Sequence, residues 1–481
     1  MKRQIAIDKL KFNSRVPRIS EKLRGWIVFL AGSAAALVYS FFAGVNLLVA
    51  IFLICLVVYL KFIYRDLNSR PFNLFNLSLL FLMITSLGFL MINHGWPLFF
   101  IPFAAAPMLA AILFNEPVIS LLLTIAPVIV INAASGQANS LGVIFFISGI
   151  ISSLLVHGVR RRNTIVIAGF VAGCVQAVLF LMSRDFKWAY SEEALFFLLN
   201  GLVCGVIAQG ILPVFEYLFG TITNIKLLEL ADFNSPLLNR LMLEAPGTYH
   251  HSLIVGNLSE AACKSVGANA LLARIGAYYH DIGKLQKPEY FTENQGLKMS
   301  AHEALAPNMS KLLIMNHVKE GLDLARKYHL APQLEKFIQQ HHGTSLVYFF
   351  YRRALENSDM PEEVHEEGFR YPGPKPNTKE TAIVLLADSV EAATRAVKDP
   401  TPSKIDELVH KIINNKFIDG QLDECDLTLK DLEIIATVFI HILSGIYHTR
   451  INYPEADGAD IHKKPSKENT NQSEKDKRHR P

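Results

Sequence analysis

Charged residues are scarce in this chain of 481 residues. Only 19% of the residues are charged, while 51% are hydrophobic, a balance that a soluble enzyme of this size rarely shows. The shortage is confined to one part of the chain. Between Trp26 and Phe215, apolar runs alternate with short polar or basic segments, whereas the remainder carries most of the charge and fourteen of the sixteen histidines. The two parts are therefore expected to have different solvents, lipid for the first and water for the second.

Cysteine is scarce as well, and this excludes two classes of small cross-linked fold. Three of the five cysteines lie inside apolar runs, and the other two stand alone with no Cys-X-X-Cys spacing. Neither a disulfide framework nor a zinc knuckle is therefore predicted. All five are interpreted as small buried apolar residues. They are Cys55, Cys174, Cys204, Cys263 and Cys425.

The apolar part predicts a polytopic bundle of about eight transmembrane helices. Most of its runs are roughly 17 to 21 residues long, which is enough to cross about 30 Å of hydrocarbon as helix. The fourth and fifth runs are short and contain proline, so a re-entrant hairpin is an alternative to two full spans. The runs are Gly25 to Phe42, Val45 to Ile63, Leu74 to Ile92, Pro97 to Phe114, Val118 to Ile131, Leu141 to Val156, Ile165 to Met182 and Ala194 to Phe215.

Basic residues predict the orientation of this bundle. They are concentrated in the leader, residues 1–24, and in the connections around Arg65 and Arg161, while most connections on the opposite side have none. By the positive-inside rule, the leader and, after an even number of spans, the second part of the chain are expected in the cytosol. A cleaved signal peptide is not expected, because the leader is long and no small-residue cleavage region follows the first run.

Residues 216–245 predict a helical linker between the two parts. Their apolar residues recur at helical spacing, so one or two amphipathic helices are expected. Pro246 and Gly247 are then expected to interrupt the helix, with Thr248 as the N-cap of the next one. The linker could transmit a signal or act as a spacer.

The segment 246–453 predicts an all-α domain that is large enough to bury its own core. Its apolar residues return every three or four positions, without sustained two-residue alternation. Residues 362–380, rich in proline, glycine and charge, predict a loop, and residues 454–481 a disordered tail. The predicted helices are Leu253 to Val266, Ala270 to Tyr279, Met309 to Tyr328, Leu334 to Gln340, Ala382 to Val397, Ile405 to Asn414 and Leu432 to Tyr447.

Imidazole and carboxylate groups are present on five of the helices in this domain. Each one alone has an ordinary structural interpretation, as a hydrogen-bonded histidine, a cap or an ion-pair partner. Together they suit Fe, Mn, Zn or Co, and their number exceeds the need of one ion while fitting two ions that share a carboxylate. The candidate ligands are His251, His280, Asp281, His317, His341, His342 and Asp388.

The order and surroundings of these groups resemble the two-metal phosphohydrolases of the HD superfamily. More narrowly, they resemble the membrane-anchored 7TM-HD family, the PgpH-type cyclic-di-AMP phosphodiesterases, closely over residues 216–453 and loosely over the membrane region. The segments that carry the resemblance are Pro246-Gly-Thr-Tyr-His-His-Ser252, Ala277-Tyr-Tyr-His-Asp-Ile-Gly-Lys284, Gln340-His-His-Gly-Thr344, Phe369-Arg-Tyr-Pro-Gly-Pro-Lys-Pro376 and Asp388-Ser-Val-Glu-Ala-Ala393.

The resemblance implies metal-dependent hydrolysis of cyclic di-AMP to linear pApA, with Fe or Mn as the two ions. It implies that all seven groups are ligands. His280 and Asp281 would be the catalytic pair, and Asp281 the best bridging ligand because a carboxylate has two oxygens to share. Lys284 is predicted to contact a substrate phosphate or the leaving oxygen, and Arg370 and Lys375 to cover the nucleotide. For these three cations an ordinary surface role is the alternative.

The same resemblance implies a multi-pass protein of the bacterial inner (cell) membrane with a cytoplasmic catalytic domain. Its partners would be a cyclic dinucleotide and the lipid bilayer, and a homodimer is left open. No nucleic acid polymer is expected, since much of the basic excess lies on the inner membrane flank.

Two features depart from the family pattern. Only Ala43 to Asn46 separates the first two apolar runs, where family members commonly carry an extracytoplasmic domain, so that domain is expected to be absent. The segment Ala301-His-Glu303 stands where an Asn-Pro-His-Asp turn is expected, and His302 is therefore left out of the ligand set.

Three other functions have weaker support in the sequence. A cyclic di-GMP phosphodiesterase of a related HD branch would carry a Gly-Tyr-Pro signature, which does not follow the paired histidines. A non-catalytic nucleotide-binding receptor would be favoured by a missing ligand, and none of the seven is missing. A transporter is disfavoured by the few charged residues inside the spans.

Overall fold

A computed structural model describes residues 72–116, 119–125, 128, 139–295, 301–303, 305–358 and 360–447. The basic leader, the first two predicted spans and the predicted tail lie outside the described residues. Within these ranges the chain is helical and contains no β-strand, which confirms the all-α class. The helices are α1 (Phe72–Asn93), α2 (Ala105–Phe114), α3 (Asn139–Val156), α4 (Arg162–Ser183), α5 (Ser191–Phe219), α6 (Asn224–Leu230), α7 (Pro236–Glu244), α8 (Pro246–Ser265), α9 (Ala270–Tyr279), α10 (Pro307–Lys327), α11 (Pro332–Gln340), α12 (Tyr348–Glu356), α13 (Lys379–Ala396), α14 (Pro402–Ile418) and α15 (Leu429–Ile446).

Two of the apolar helices in the described part are long enough to cross a membrane. They are α4 and the stretch Trp188–Phe219, which includes α5. The predicted span Pro97 to Phe114 is wrong as a continuous helix, because α2 has only ten residues and is about 15 Å long, half the hydrocarbon thickness. A short 3-10 turn, Leu98–Phe100, precedes it, and Pro102 lies in the gap, where its missing N–H favours a break.

Helices α4 and α5 approach each other closely along a row of glycines. A Cβ atom on Gly201 would lie 2.2 Å from the nitrogen of Gly173, and one on Gly169 would lie 2.5 Å from the carbonyl oxygen of Gly201. No side chain fits in that space. Such contacts between backbones are typical of helix pairs in membranes.

Helices α6 and α7 occupy the predicted linker and connect α5 to the second part of the chain. Gly220 ends α5 in the left-handed conformation, with φ of +57°. Its carbonyl oxygen accepts a hydrogen bond of 2.7 Å from Nε2 of Gln333 at the start of α11. Arg162 at the start of α4 forms a 2.6 Å ion pair with Glu229 of α6. These contacts join the apolar helices directly to the linker and to the second part of the chain.

The predicted N-cap at Thr248 is wrong. Helix α8 begins at Pro246, the first helical position that proline favours, so Thr248 lies inside its first turn. The buried hydroxyl of Thr248 donates a hydrogen bond of 3.2 Å to Oε1 of Glu293 instead. Helix α12 was not predicted at all, whereas the loop that precedes α13 agrees with its prediction.

The core of the second part is built around α8, α9 and α13, with α7, α11, α14 and α15 packed around them. In α13 every residue from Ala382 to Ala387 is buried, so this helix is enclosed on all sides. Thr378 caps α13 through a capping box with Thr381. The ends and faces of these central helices that carry histidine and carboxylate side chains therefore meet inside a rigid region with little water.

Candidate metal centre

Five helices bring the seven predicted ligand side chains together in one site. His251 projects from α8, and His317 and Asp388 from the middle of α10 and α13. The two adjacent pairs lie where helices end, His280 and Asp281 just after α9, and His341 and His342 just after α11. In a continuous helix, two successive side chains point about 100° apart. Where the helix ends, the backbone can turn so that both side chains face the same centre.

Asp281 lies between two groups of histidines. Its Oδ1 is 3.4 Å from Nε2 of His317 and 3.5 Å from Nε2 of His341. Its Oδ2 is 3.2 Å from Nε2 of His280 and 3.7 Å from Nε2 of His251. Each oxygen of the same carboxylate therefore faces a different group, as a bridging ligand requires.

The candidate ligands form two groups, one of four residues and one of three, and each group could hold one metal ion. Within each group one donor atom per residue lies within 4.8 Å of the others. Asp388 also links the groups, because its Oδ1 is 3.1 Å from Nε2 of His251 and its Oδ2 is 3.6 Å from Nδ1 of His342. The first group is Asp281, His317, His341 and His342, and the second is His251, His280 and Asp388.

Backbone hydrogen bonds orient three of the imidazole rings. His280, His317 and His341 each donate from Nδ1 to the carbonyl oxygen three residues earlier, at 2.6, 2.6 and 2.9 Å respectively. A carbonyl only accepts, so the proton lies on Nδ1 and the lone pair of Nε2 points into the site. This is the arrangement of imidazoles that bind metals.

Several polar atoms at the centre are buried without a hydrogen-bond partner. They include Nε2 of His251, Nε2 of His280 and Oδ1 of Asp281. Leaving such atoms unpaired costs about 1–3 kcal/mol each, and they converge on one space. Nitrogen and carboxylate donors of this kind fit divalent metal ions, which would satisfy all three atoms.

Glu391 belongs to the site, although its position in the sequence predicted no role for it. It lies one helical turn after Asp388 on α13, is 1% exposed, and its Oε2 hydrogen-bonds to Nδ1 of His251. A carboxylate behind an imidazole orients the ring and increases its basicity as a ligand. The available signal was its spacing, because a Glu three residues after Asp388 shares a helix face with it.

Lys284 is enclosed between two carboxylates. Its Nζ lies 2.7 Å from Oδ2 of Asp281 and 2.7 Å from Oε1 of Glu293. Burial opposes the charged form, but these two carboxylates raise the pKa of Lys284 above its ordinary value. The side chain is therefore an ammonium held beside the central aspartate. Glu293, which holds it there, also had no predicted role.

The two other predicted substrate contacts, Arg370 and Lys375, lie in ion pairs away from the cluster. The Arg370 guanidinium bonds to Glu366 and Asp419, and Nζ of Lys375 lies 3.2 Å from Oδ2 of Asp423. The loop instead reaches the cluster through a residue without a predicted role. This is Tyr371, whose ring stacks on His342.

Tyr371 covers one side of the ligand pair. Its ring centroid is 4.3 Å from that of His342 with an interplanar angle of 28°, and 8% of the residue is exposed. His302 is in neither of the two groups of candidate ligands. Its Nε2 donates to the carbonyl oxygen of Tyr290 at 2.8 Å, and its ring packs on Phe350.

The electrostatics favour ionised carboxylates at Asp281 and Asp388 beside neutral imidazoles at His317 and His342. Burial alone would raise the pKa values of Asp281 and Asp388, but the surrounding histidines, together with Lys284 for Asp281, lower both. Burial lowers the pKa of His317 to about 4 and that of His342 as well. These are the protonation states in which the groups can bind a metal.

His251 differs from His317 and His342 in the direction of its pKa shift. Burial acts to lower its pKa, yet the carboxylates of Asp388 and Glu391 raise it to about 10. Binding of a metal at its Nε2 is therefore expected to release a proton.

Known proteins resemble both parts of this chain. A family model described as "HD domain" matches residues 248–393, and one described as "7TM receptor with intracellular HD hydrolase" matches residues 39–223. Together the two models match residues in both the apolar part and the second part of the chain. The second model and the two long apolar helices together indicate a membrane protein.

The curated relatives include two proteins named cyclic-di-AMP phosphodiesterase PgpH. The protein from Bacillus subtilis is 39% identical over 430 residues, which is 86% of this chain and 60% of the relative. The protein from Listeria monocytogenes is 37% identical over 423 residues, which is 84% of this chain and 58% of the relative. The chain thus spans about three fifths of the length of the curated relatives it matches.

Among solved structures, the HD domain of the L. monocytogenes PgpH in complex with cyclic-di-AMP is similar to part of this chain. It is 45% identical, with a TM-score of 0.44, over 45% of this chain and 100% of that chain.

Proposed function

We propose that this protein is a membrane-anchored, metal-dependent phosphodiesterase that hydrolyses cyclic di-AMP to linear pApA. The observation that carries the proposal is the position of Asp281, whose two oxygens face two separate groups of histidines. The names of the B. subtilis and L. monocytogenes relatives support the choice of reaction and substrate.

Two divalent cations are proposed as the cofactors, with Fe or Mn as the expected metals. The residues proposed to hold them are the seven predicted ligands, and the unpaired donor atoms at the centre support this assignment. When bound, such ions supply charge neutralisation of the scissile phosphate and activation of a water molecule. The donor set of imidazoles and carboxylates suits both metals.

The residues of the chain have distinct proposed roles in this reaction. Asp281 contacts both groups of candidate ligands and fixes their relative positions. His280 is fully buried, and the lone pair of its Nε2 points into the site. Lys284 keeps its proton on Nζ beside Asp281, from where it can donate a hydrogen bond to a phosphate oxygen or the leaving oxygen. Tyr371 limits the access of bulk water to the paired histidines after α11.

The proposed arrangement in the cell is a multi-pass anchor in the bacterial cell membrane with a cytoplasmic HD domain. We assign residues 25–215 to the anchor, 216–245 to the linker and 246–453 to the HD domain, with a leader at 1–24 and a tail at 454–481. The basic connections predicted to face inward support this orientation. A homodimer remains a prediction.

The proposal is tested on the full-length protein purified in detergent and supplied with Mn²⁺ or, without oxygen, Fe²⁺. Cyclic di-AMP and cyclic di-GMP are offered separately, and products are separated by chromatography. Formation of pApA with slower loss of cyclic di-GMP is expected. Absence of pApA, or equal loss of both substrates, would contradict the assignment.

Adjacent histidines offer a matched control for the metal centre. His251→Ala removes a buried donor, and we expect it to lower turnover at least 100-fold with a loss of bound metal. His250→Ala changes the exposed neighbour and should leave both unchanged. The double change His280→Ala with Asp281→Ala should abolish turnover, and unaltered activity there would rule out the proposed mechanism.

A further inference from the structure

The substrate of the proposed reaction carries two phosphates, but the metal centre accounts for only one of them. A cyclic dinucleotide contains two phosphodiesters, each with one negative charge. In the proposed reaction the scissile phosphate would be held at the metal centre, so the second phosphate needs a different cationic partner if it is to be taken out of water.

The three cations predicted as substrate contacts are already matched by carboxylates of this chain. Lys284 lies between Asp281 and Glu293. Arg370 is paired with Glu366 and Asp419, and Lys375 with Asp423. Each of these positive charges is therefore offset before any substrate binds.

Lys416 on α14 differs from these cations. Its Nζ donates a 2.7 Å hydrogen bond to the hydroxyl of Ser345. No carboxylate of the described residues lies within 4.0 Å of it, so its partner there is neutral. Burial lowers the pKa of Lys416, and the charges of Asp388 and Asp419 offset only part of that effect. The ammonium therefore lacks the close anion that a half-buried charge ordinarily has.

Ser345 places this ammonium next to the ligand pair that follows α11. The nitrogen of Ser345 donates to the carbonyl oxygen of His342 at 3.0 Å, and its own carbonyl oxygen accepts from the nitrogen of Tyr371 at 3.0 Å. Tyr371 in turn stacks on His342. Lys416 is thus hydrogen-bonded to a residue whose backbone bonds to both His342 and Tyr371, and it is not itself one of the candidate ligands.

We propose that Lys416 binds the non-scissile phosphate of the cyclic dinucleotide and thereby holds the ring for cleavage of the other phosphodiester. This inference rests on the proposed function. It makes Lys416 a substrate-binding residue that distinguishes a substrate with two phosphates from one with a single phosphate.

The test compares Lys416→Met with the wild type in the full-length protein. Methionine keeps an unbranched stem but removes the charge. A charge-assisted hydrogen bond to phosphate is worth about 1.5–3 kcal/mol, so KM for cyclic di-AMP should rise about 10- to 100-fold. Metal content should be unchanged, and Lys416→Arg should restore most of the loss.

A ligand without the second phosphate separates this role from a structural one. Adenylyl-(3′→5′)-adenosine has both bases and one phosphodiester, and its inhibition constant against cyclic di-AMP hydrolysis can be measured whether or not it is cleaved. We expect equal inhibition constants for the wild type and Lys416→Met. An increase by the same factor as KM would overturn the inference.

Lys411→Met supplies the matched control, since Lys411 is an exposed lysine on the same helix and should change neither constant. If the wild type is active and Lys416→Met keeps its KM within twofold, the inference alone fails. If the wild type does not hydrolyse cyclic di-AMP, the proposed function itself fails.

Discussion

Individual residues in this site depend on partners that lie far away in the chain. His251 has its Nδ1 bonded to Glu391, 140 positions later, and Lys284 is held by Glu293. The seven candidate ligands were predictable because their residue types, adjacency and local motifs are visible in the sequence. Glu391 and Glu293 were not, because an acidic residue on a helix acquires a role only when its face meets another element.

Glu391→Gln tests the carboxylate behind His251. The amide preserves size and can still bond to Nδ1, but it lacks the charge that increases the basicity of the ring. We expect metal affinity to fall about 10- to 100-fold, as for comparable partners in other metal sites. Metal retained after dialysis against graded chelator measures this.

The control for that substitution is Glu407→Gln, which changes an exposed glutamate on α14 and should leave metal retention unaltered. Equal retention in Glu391→Gln and the wild type would mean that Glu391 serves the fold alone.

At the scale of elements, the site requires α10 to lie close to the turn that follows α9. A Cβ atom on Gly283 would lie 1.8 Å from the carbonyl oxygen of His317 and 2.6 Å from the nitrogen of Gly321. The backbone at Gly283 is in contact with the backbone of α10. Backbone atoms cannot move aside as the end of a flexible side chain can. Helix α10 carries His317, so its distance from Asp281 depends on this glycine.

Gly283→Ala is therefore expected to displace α10. Overpacking of this kind costs about 1–3 kcal/mol or more, so thermal unfolding of the detergent-solubilised protein should begin at lower temperature. Bound metal should decrease in the same variant. The control is Gly210→Ala, where a Cβ atom meets nothing within 4 Å. An unchanged melting temperature and metal content in Gly283→Ala would contradict the packing argument.

Helix boundaries were predictable where apolar periodicity continues and less so where proline intervenes. Helices α9, α10 and α13 begin and end within three residues of their predictions. Helix α8 starts seven residues earlier than predicted, because Pro246 occupies the first helical position and does not interrupt a helix. Around Pro102 the opposite holds, since the chain leaves the helical conformation there and α2 is short.

At the scale of the whole molecule, α5 lies between two segments of interest. The connection that contains Lys187 precedes it, and the linker to the HD domain follows it. Its 29 residues extend about 43 Å, more than the hydrocarbon thickness of about 30 Å. The two ends of a single spanning helix lie on opposite sides of a membrane. The proposed orientation therefore places Lys187 outside and the linker after Gly220 inside.

Reporter fusions test this orientation. Alkaline phosphatase fused after Lys187 should be active and green fluorescent protein dark, whereas fusions at the end of the chain should show the reverse. The two reporters serve as mutual controls at each position. The same active reporter at both positions would show that α5 does not cross the membrane, and the reverse pattern would invert the proposed topology.

The sequence by itself determined the division into lipid-facing and water-facing parts, the helical class and the identity of the candidate ligands. These depend on composition, on periodicity and on neighbours along the chain, all of which are local. Only the tertiary structure decided that Asp281 divides the ligands into two groups, that Glu391 supports His251, and that Lys416 has a neutral partner beside the site. Those relations depend on which helix faces meet, and close packing between distant segments of the chain determines that.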